Sequence, residues 1–173
     1  SWAMNVKSDG KDAGAYGFFP FNETTGGTNA AKYNFGFGTK LEIKFRLTKD
    51  GTVLGEDEQP VPITFAFSGD DDVWVFIDGK LALDVGGAHG KVTGTLDFKN
   101  LEAKVSKVKK SAADGAAGDA GTNKTTDFTL KGDKQDEHTL TMFYMERGMW
   151  ESNMMIAFNF PDDNEFAVEK QVD

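Results

Sequence analysis

Three consecutive aspartates, Asp70, Asp71 and Asp72, stand inside the stretch FSGDDDVWVFIDGK at residues 67–80. Neighbouring ionised carboxylates repel one another, and burial makes the repulsion costlier. The nearest cationic side chains in sequence are Lys49 and Lys80. A hard divalent cation would cancel the charge economically, and calcium takes several oxygen ligands from flexible loops. The spacing does not match the EF-hand pattern. The other reading of the same residues is an acidic turn whose aspartates bond their own backbone. On the residues alone both stay open.

The aspartates precede VWVFI (Val73 to Ile77), which is apolar at every position. Such a run predicts a central strand covered above and below. Asp78-Gly79 then signals a tight hairpin, with KLALDV returning. Upstream, Leu41, Ile43, Phe45 and Leu47 alternate with Lys40, Glu42, Lys44 and Arg46, a half-exposed strand that ends at the turn signal Asp50-Gly51. ITFAFS leads into the aspartates, and KVTGTLDF forms a further strand. In HTLTMFYM, Leu140, Met142 and Tyr144 alternate with Thr139, Thr141 and Phe143. MMIAFNF is the last core strand, stopped by Pro161. Residues 1–14 read as irregular, GGAHG around His89 as a loop, and GMWESN (residues 148–153) as another. Residues 103–126 are poor in large apolar side chains and predict a flexible insertion. Residues 163–173 read as a linker or the start of a following stalk module. Eight or nine short strands with almost no helix predict an all-β antiparallel sandwich or barrel.

The chain has 173 residues, a formal net charge of −9 and no cysteine. The length suits one domain with one core. The acidic balance argues against nucleic acid and anionic membrane as partners. Disulfides and thiol nucleophiles are excluded. No apolar run approaches the 18 or so residues of a membrane-spanning helix. Glu146-Arg147 reads as an internal ion pair, with Asp84 or Asp78 as a further partner for the arginine.

Four stretches together, FFPFN, YNFGFGTKLEIKF, FAFSGDDDVWVFIDGKLALDVGGAHG and FYMERGMWESNMMIAF, resemble the fibro-slime domain family from about Phe18 to Phe160. That family is similar to the protective-antigen-type β-sandwiches, whose sugar-binding members include flocculin-like lectins. The resemblance implies a sandwich of that type over residues 1–162. It implies that Asp70 and Asp71, joined by a cis peptide, hold Ca2+ with Asn153 as the remaining side-chain ligand. Trp150 then serves either as a stacking platform or as core, and Glu151 and Asp72 join the ligand-facing set, with the role of Asp72 open. His89 either contacts ligand or stitches two loops together, the structural hydrogen bond being the favoured role. The implied function is a non-enzymatic, calcium-dependent carbohydrate-binding adhesin module of a bacterial cell-surface protein. It would act within a larger multidomain protein, on a glycan or a host-surface ligand. The alternative is a structural or protein-binding tip module of a surface protein or pilus, with calcium stabilising its loops. A hydrolase with paired carboxylates ranks last, because adjacent aspartates on one loop cannot flank a scissile bond.

Overall fold

The computed structural model describes the backbone of residues 2–7, 36–87, 89–107, 124–146, 151–161 and 165–171. Side chains are described over the same residues except 2–7, 107, 151–153 and 165–171. The described residues form thirteen strands and no helix. In chain order these are β1 (Trp2–Lys7), β2 (Phe37–Phe45), β3 (Thr52–Leu54), β4 (Pro60–Pro62), β5 (Thr64–Gly69), β6 (Asp72–Ile77) and β7 (Lys80–Val85). They continue with β8 (Val92–Asp97), β9 (Glu102–Lys107), β10 (Lys124–Asp127), β11 (His138–Glu146), β12 (Glu151–Phe158) and β13 (Glu165–Gln171). One antiparallel sheet has the order β1-β12-β5-β8-β9-β10, a second β13-β2-β11-β6-β7, and β3 and β4 form a ribbon. The chain is all-β, as its alternation predicts, and its two large sheets share one core.

Period two governs which side chains enter that core. On β11, Leu140, Met142 and Tyr144 are each at most 1% exposed, and on β2 the equally buried Ile43 pairs with Leu140 and Phe45 with His138. From the facing sheet come Phe65, Phe67, Val92 and Leu96, all equally buried. Leu83 of β7 lies so close over Gly94 of β8 that a Cβ there would meet its Cδ2 at 2.6 Å. At one end of the sandwich Phe45 stacks on Phe160 at 4.6 Å and meets Phe98 edge-on at 5.1 Å. Phe128 closes the group against Phe98.

Several sequence expectations change. Residues 103–107 are not an insertion. They lie in β9, paired with β8, and Ala103 is 1% exposed. Residues 124–126 belong to β10, and the remainder of that stretch, 108–123, lies outside the described residues. Residues 165–171 are not a linker. They form β13, which pairs with β2 at the edge of the second sheet. Residues 2–7 are not irregular but pair with β12 as β1. The Val73–Ile77 strand is central, between β11 and β7, yet only Val73, Val75 and Ile77 are fully buried. Trp74 and Phe76 line an outer face that is half covered. There Phe76 meets Phe143 edge-on at 5.8 Å, and Trp74 lies over Gly86. A register shift between Val75 and Phe76 turns both Ala82 and Leu83 inward on β7. The segment around FFPFN lies outside the described residues.

Two turn glycines separate backbone strain from steric room. Gly51 (φ 68°) and Gly79 (φ 78°) both occupy the left-handed region. A Cβ on Gly51 would meet the Phe98 carbonyl oxygen at 2.6 Å, whereas one on Gly79 meets nothing within 4 Å. Gly79→Ala is expected to cost about 1–2 kcal/mol for the conformation alone. Gly51→Ala should add an overpacking cost of about 1–3 kcal/mol. Urea unfolding of both variants measures the difference, and equal costs would contradict the contact at Gly51. A third substitution probes a buried hydroxyl. Thr39, directly across from Tyr144 on β2, has an Oγ1 that finds no hydrogen-bond partner among the described residues. Thr39→Val keeps the shape and removes that group, so it should stabilise by about 1 kcal/mol.

Candidate functional site

The three aspartates occupy the crossing between the two sheets. β5 ends at Gly69 in the first sheet, paired with Met154 and Val92, and β6 starts at Asp72 in the second, paired with Met145. Residues 70 and 71 span the gap. A chain that steps between sheets gives up ladder partners, and short polar side chains suit such a corner.

The three carboxyls then part company. Asp72 is 5% exposed, and its Oδ1 accepts the Gly87 N–H at 2.9 Å, which fixes the 86–90 loop. Asp70 remains at the half-buried rim. Asp71, 7% exposed, points into the sandwich and accepts a short hydrogen bond from the Tyr144 hydroxyl on its Oδ2. The same hydroxyl stands 3.3 Å from Glu146 Oε2. Tyr144 and Glu146 are each 1% exposed. One phenolic proton serves three oxygens, so the contact with Glu146 gains a hydrogen bond only if a second proton joins the cluster. Burial pushes the Asp71 carboxyl up from 3.8 to about 8. The Tyr144 hydrogen bond opposes that rise, and the charge and hydrogen bonding of Glu146 and the charge of Asp70 add to it.

His89 lies in the same corner. Its Nδ1 is 2.8 Å from the Gly90 carbonyl oxygen and its Nε2 is 2.7 Å from that of Val85. The ring therefore ties the 86–90 loop to the end of β7. Asp84 accepts the Gly86 N–H at 3.0 Å. Asn153 directly precedes Met154, which pairs with Gly69, the last residue of β5, and on its other side its backbone pairs with Asn5 of β1. Its side chain and that of Glu151 lie outside the described residues, as do Arg147 and Trp150. The bond between Asp70 and Asp71 is trans, where the resemblance implies cis.

Sequence reading left out two members of this corner. Glu146 was expected to pair with Arg147, and Tyr144 counted only as core. The signal was present, because Glu146 continues the inward alternation Leu140, Met142, Tyr144. It missed a second polar centre as well. At the far end of β11, His138 is fully buried, with Nδ1 2.8 Å from Asp78 Oδ2 and Nε2 3.0 Å from the Asp133 carbonyl oxygen. Asp78 also accepts the backbone N–H groups of Lys131 and Thr139, each at 2.9 Å. Burial pulls its carboxyl upward, but those two hydrogen bonds, together with the hydrogen bond and charge of His138, outweigh it and hold the group below its ordinary 3.8.

Calcium needs several oxygens at about 2.3–2.6 Å. Among the described residues no three His, Asp or Glu side chains gather as a metal site. The donors that suit a hard cation are the Asp70 and Asp71 carboxylates and the carbonyl oxygens of the crossing. Asp72 is turned to Gly87.

Comparison with known proteins gives relatives among the proteins of a eukaryote, Dictyostelium discoideum. The Dictyostelium discoideum protein psiF is 30% identical over 148 residues, which is 82% of this chain and 18% of psiF. Its companion psiG is 59% identical over 44 residues, 25% of this chain and 6% of psiG. Protein psiH is 44% identical over 69 residues, 40% of this chain and 8% of psiH. The chain thus spans less than a fifth of the length of these relatives. No family model matches it, and neither does any solved structure. These relatives overturn the expectation of a bacterial cell-surface adhesin, in both its sugar-binding and its pilus-tip form, since the matched proteins are eukaryotic.

The two carboxyls predict opposite slopes in stability. Asp71, raised to about 8, contributes stability that is fully present below about pH 4 and is lost as pH rises through about 8. Asp78, held low, contributes stability present above about pH 4 and lost as pH falls through its depressed value. Thermal melts in chelator should therefore peak in mildly acidic buffer. Asp71→Asn should flatten the alkaline limb and Asp78→Asn the acid limb. An unchanged alkaline limb in Asp71→Asn would contradict the burial of an ionisable carboxyl there.

Proposed function

We propose that the chain is a non-catalytic module of the fibro-slime kind within a longer protein. In this reading it holds a calcium ion at Asp70 and Asp71, where the backbone crosses between the sheets. The observation that carries the proposal is the inward-facing Asp71 carboxyl, 7% exposed and close enough to Glu146 and Asp70 to feel the charge of both. A buried carboxylate in that company needs a proton or a cation, and a hard dication is bound by carboxylate and carbonyl oxygens. The ion would fix the crossing, and Asp72 and His89 brace the neighbouring 86–90 loop against it. The module's task is then recognition of a partner by loops held rigid at this end of the sandwich.

The arrangement of carboxyls favours this over hydrolysis. Acid and base carboxyls act from opposite sides of a scissile bond, several ångströms apart. Asp71 and Glu146 instead converge on one phenol and are all but closed to solvent.

The test is a thermal melt and a calorimetric titration with calcium, starting from chelated protein. Affinity is expected at about 10⁻⁴–10⁻³ M, the range of extracellular modules. The ion binds only the folded corner, so tenfold excess over Kd should add about 1.4 kcal/mol and raise Tm. Asp70→Asn should remove most of that shift while leaving the chelated protein near wild-type stability, since Asp70 lies at the rim. Absence of any shift at about 10 mM calcium would end the metal reading.

A further inference from the structure

We propose that His138 is a proton-dependent latch that fastens the turn at residues 131–137 to the β6–β7 hairpin. Both ring nitrogens face acceptors: Asp78 Oδ2 on one side and the Asp133 carbonyl oxygen on the other. A neutral imidazole donates through one nitrogen only, so it satisfies one of these contacts and leaves the other as two opposed lone pairs. The imidazolium satisfies both. The ring is wholly buried, so water cannot replace the missing proton.

Asp78 is the charged group that faces the ring. It comes from the hairpin turn, where it accepts two backbone N–H groups and stays ionised. The other charged groups of this corner are turned elsewhere. Glu137, just before β11, stands 4.0 Å from both Lys44 of β2 and Arg46 just beyond it. Asp136 accepts the Asp133 N–H, Lys134 donates to the Lys99 carbonyl oxygen, and Lys80 donates to Thr129. From β2 the ring meets Phe45, with the ring centroids 5.5 Å apart. Acid therefore closes the latch and base opens it. What opens is the 131–137 turn, which is also tied to β2 through the Leu47 N–H and the Lys134 carbonyl oxygen at 3.0 Å.

The experiment is nitrogen-15 NMR of histidine-labelled protein between pH 5.5 and 8.5, with amide exchange corrected for intrinsic rate. His89→Gln assigns the His138 signals. Both His138 nitrogens should carry protons at pH 5.5. As the ring loses its second proton, protection of the Leu47 amide should fall by on the order of tenfold, the weight of one charge-assisted hydrogen bond. The Val75 amide, in the sheet interior, should keep its protection. In His138→Phe the Leu47 protection should no longer change with pH. A singly protonated ring at pH 5.5, or the same pH response in His138→Phe, would overturn the proposal. Should His138→Phe not fold, the ring spectrum of the wild type decides alone.

Discussion

The inward alternation of β11 is the constraint on which the sandwich depends. Five of its residues, His138, Leu140, Met142, Tyr144 and Glu146, face the core and are at most 1% exposed. The strand lies in the middle of its sheet, between β2 and β6. Its three central inward residues supply burial. Its two ends place an imidazole and a carboxyl where neither is solvated, so partners must come from other elements. The β6–β7 turn supplies Asp78 at one end, and the crossing from β5 to β6 supplies Asp71 at the other. The two polar centres are eight residue steps apart, roughly 27 Å at about 3.4 Å per step. Each anchors a connection rather than a strand.

The two ends are built on opposite logic. At the His138 end, an imidazole and two backbone N–H groups converge on one aspartate, and the Phe45 ring packs against the imidazole. At the Asp71 end, among the described residues, two buried carboxyls meet one phenol and a third carboxyl stands at the rim. The first arrangement lowers a carboxyl and the second raises one, although both are buried. Neighbours, not burial alone, decide the direction.

How much of this was legible follows from where apolar alternation is strong. β2, β5, β6 and β11 announce themselves through apolar side chains at alternate positions, and β8 through Val92 and Leu96 on either side of Gly94. The Asp78-Gly79 hairpin announces itself through its turn chemistry, and both residues take positive φ. β9 was hidden because its buried position is Ala103, too small to stand out among lysines. β1 carries a readable alternation of Trp2, Met4 and Val6, passed over because polar residues follow it. β13 looked like a linker because its sequence is half charged, as an edge strand tolerates. The aspartates drew attention as a group, yet adjacent residues on an extended chain point in different directions, so they do not act as one. The partners of Asp71 lie more than seventy residues away, beyond the reach of any local pattern.

The irregularity between Val75 and Phe76 bears on the molecule's behaviour at high concentration. Among the described residues β7 is the outermost strand of its sheet, and an outermost strand offers N–H and C=O groups to a passing chain. A straight β7 would be a template for edge-to-edge growth. The extra residue at Ala82–Leu83 twists that edge and throws its hydrogen-bonding groups out of step with a regular strand. Such an edge is a poorer template for a second copy than a straight strand would be.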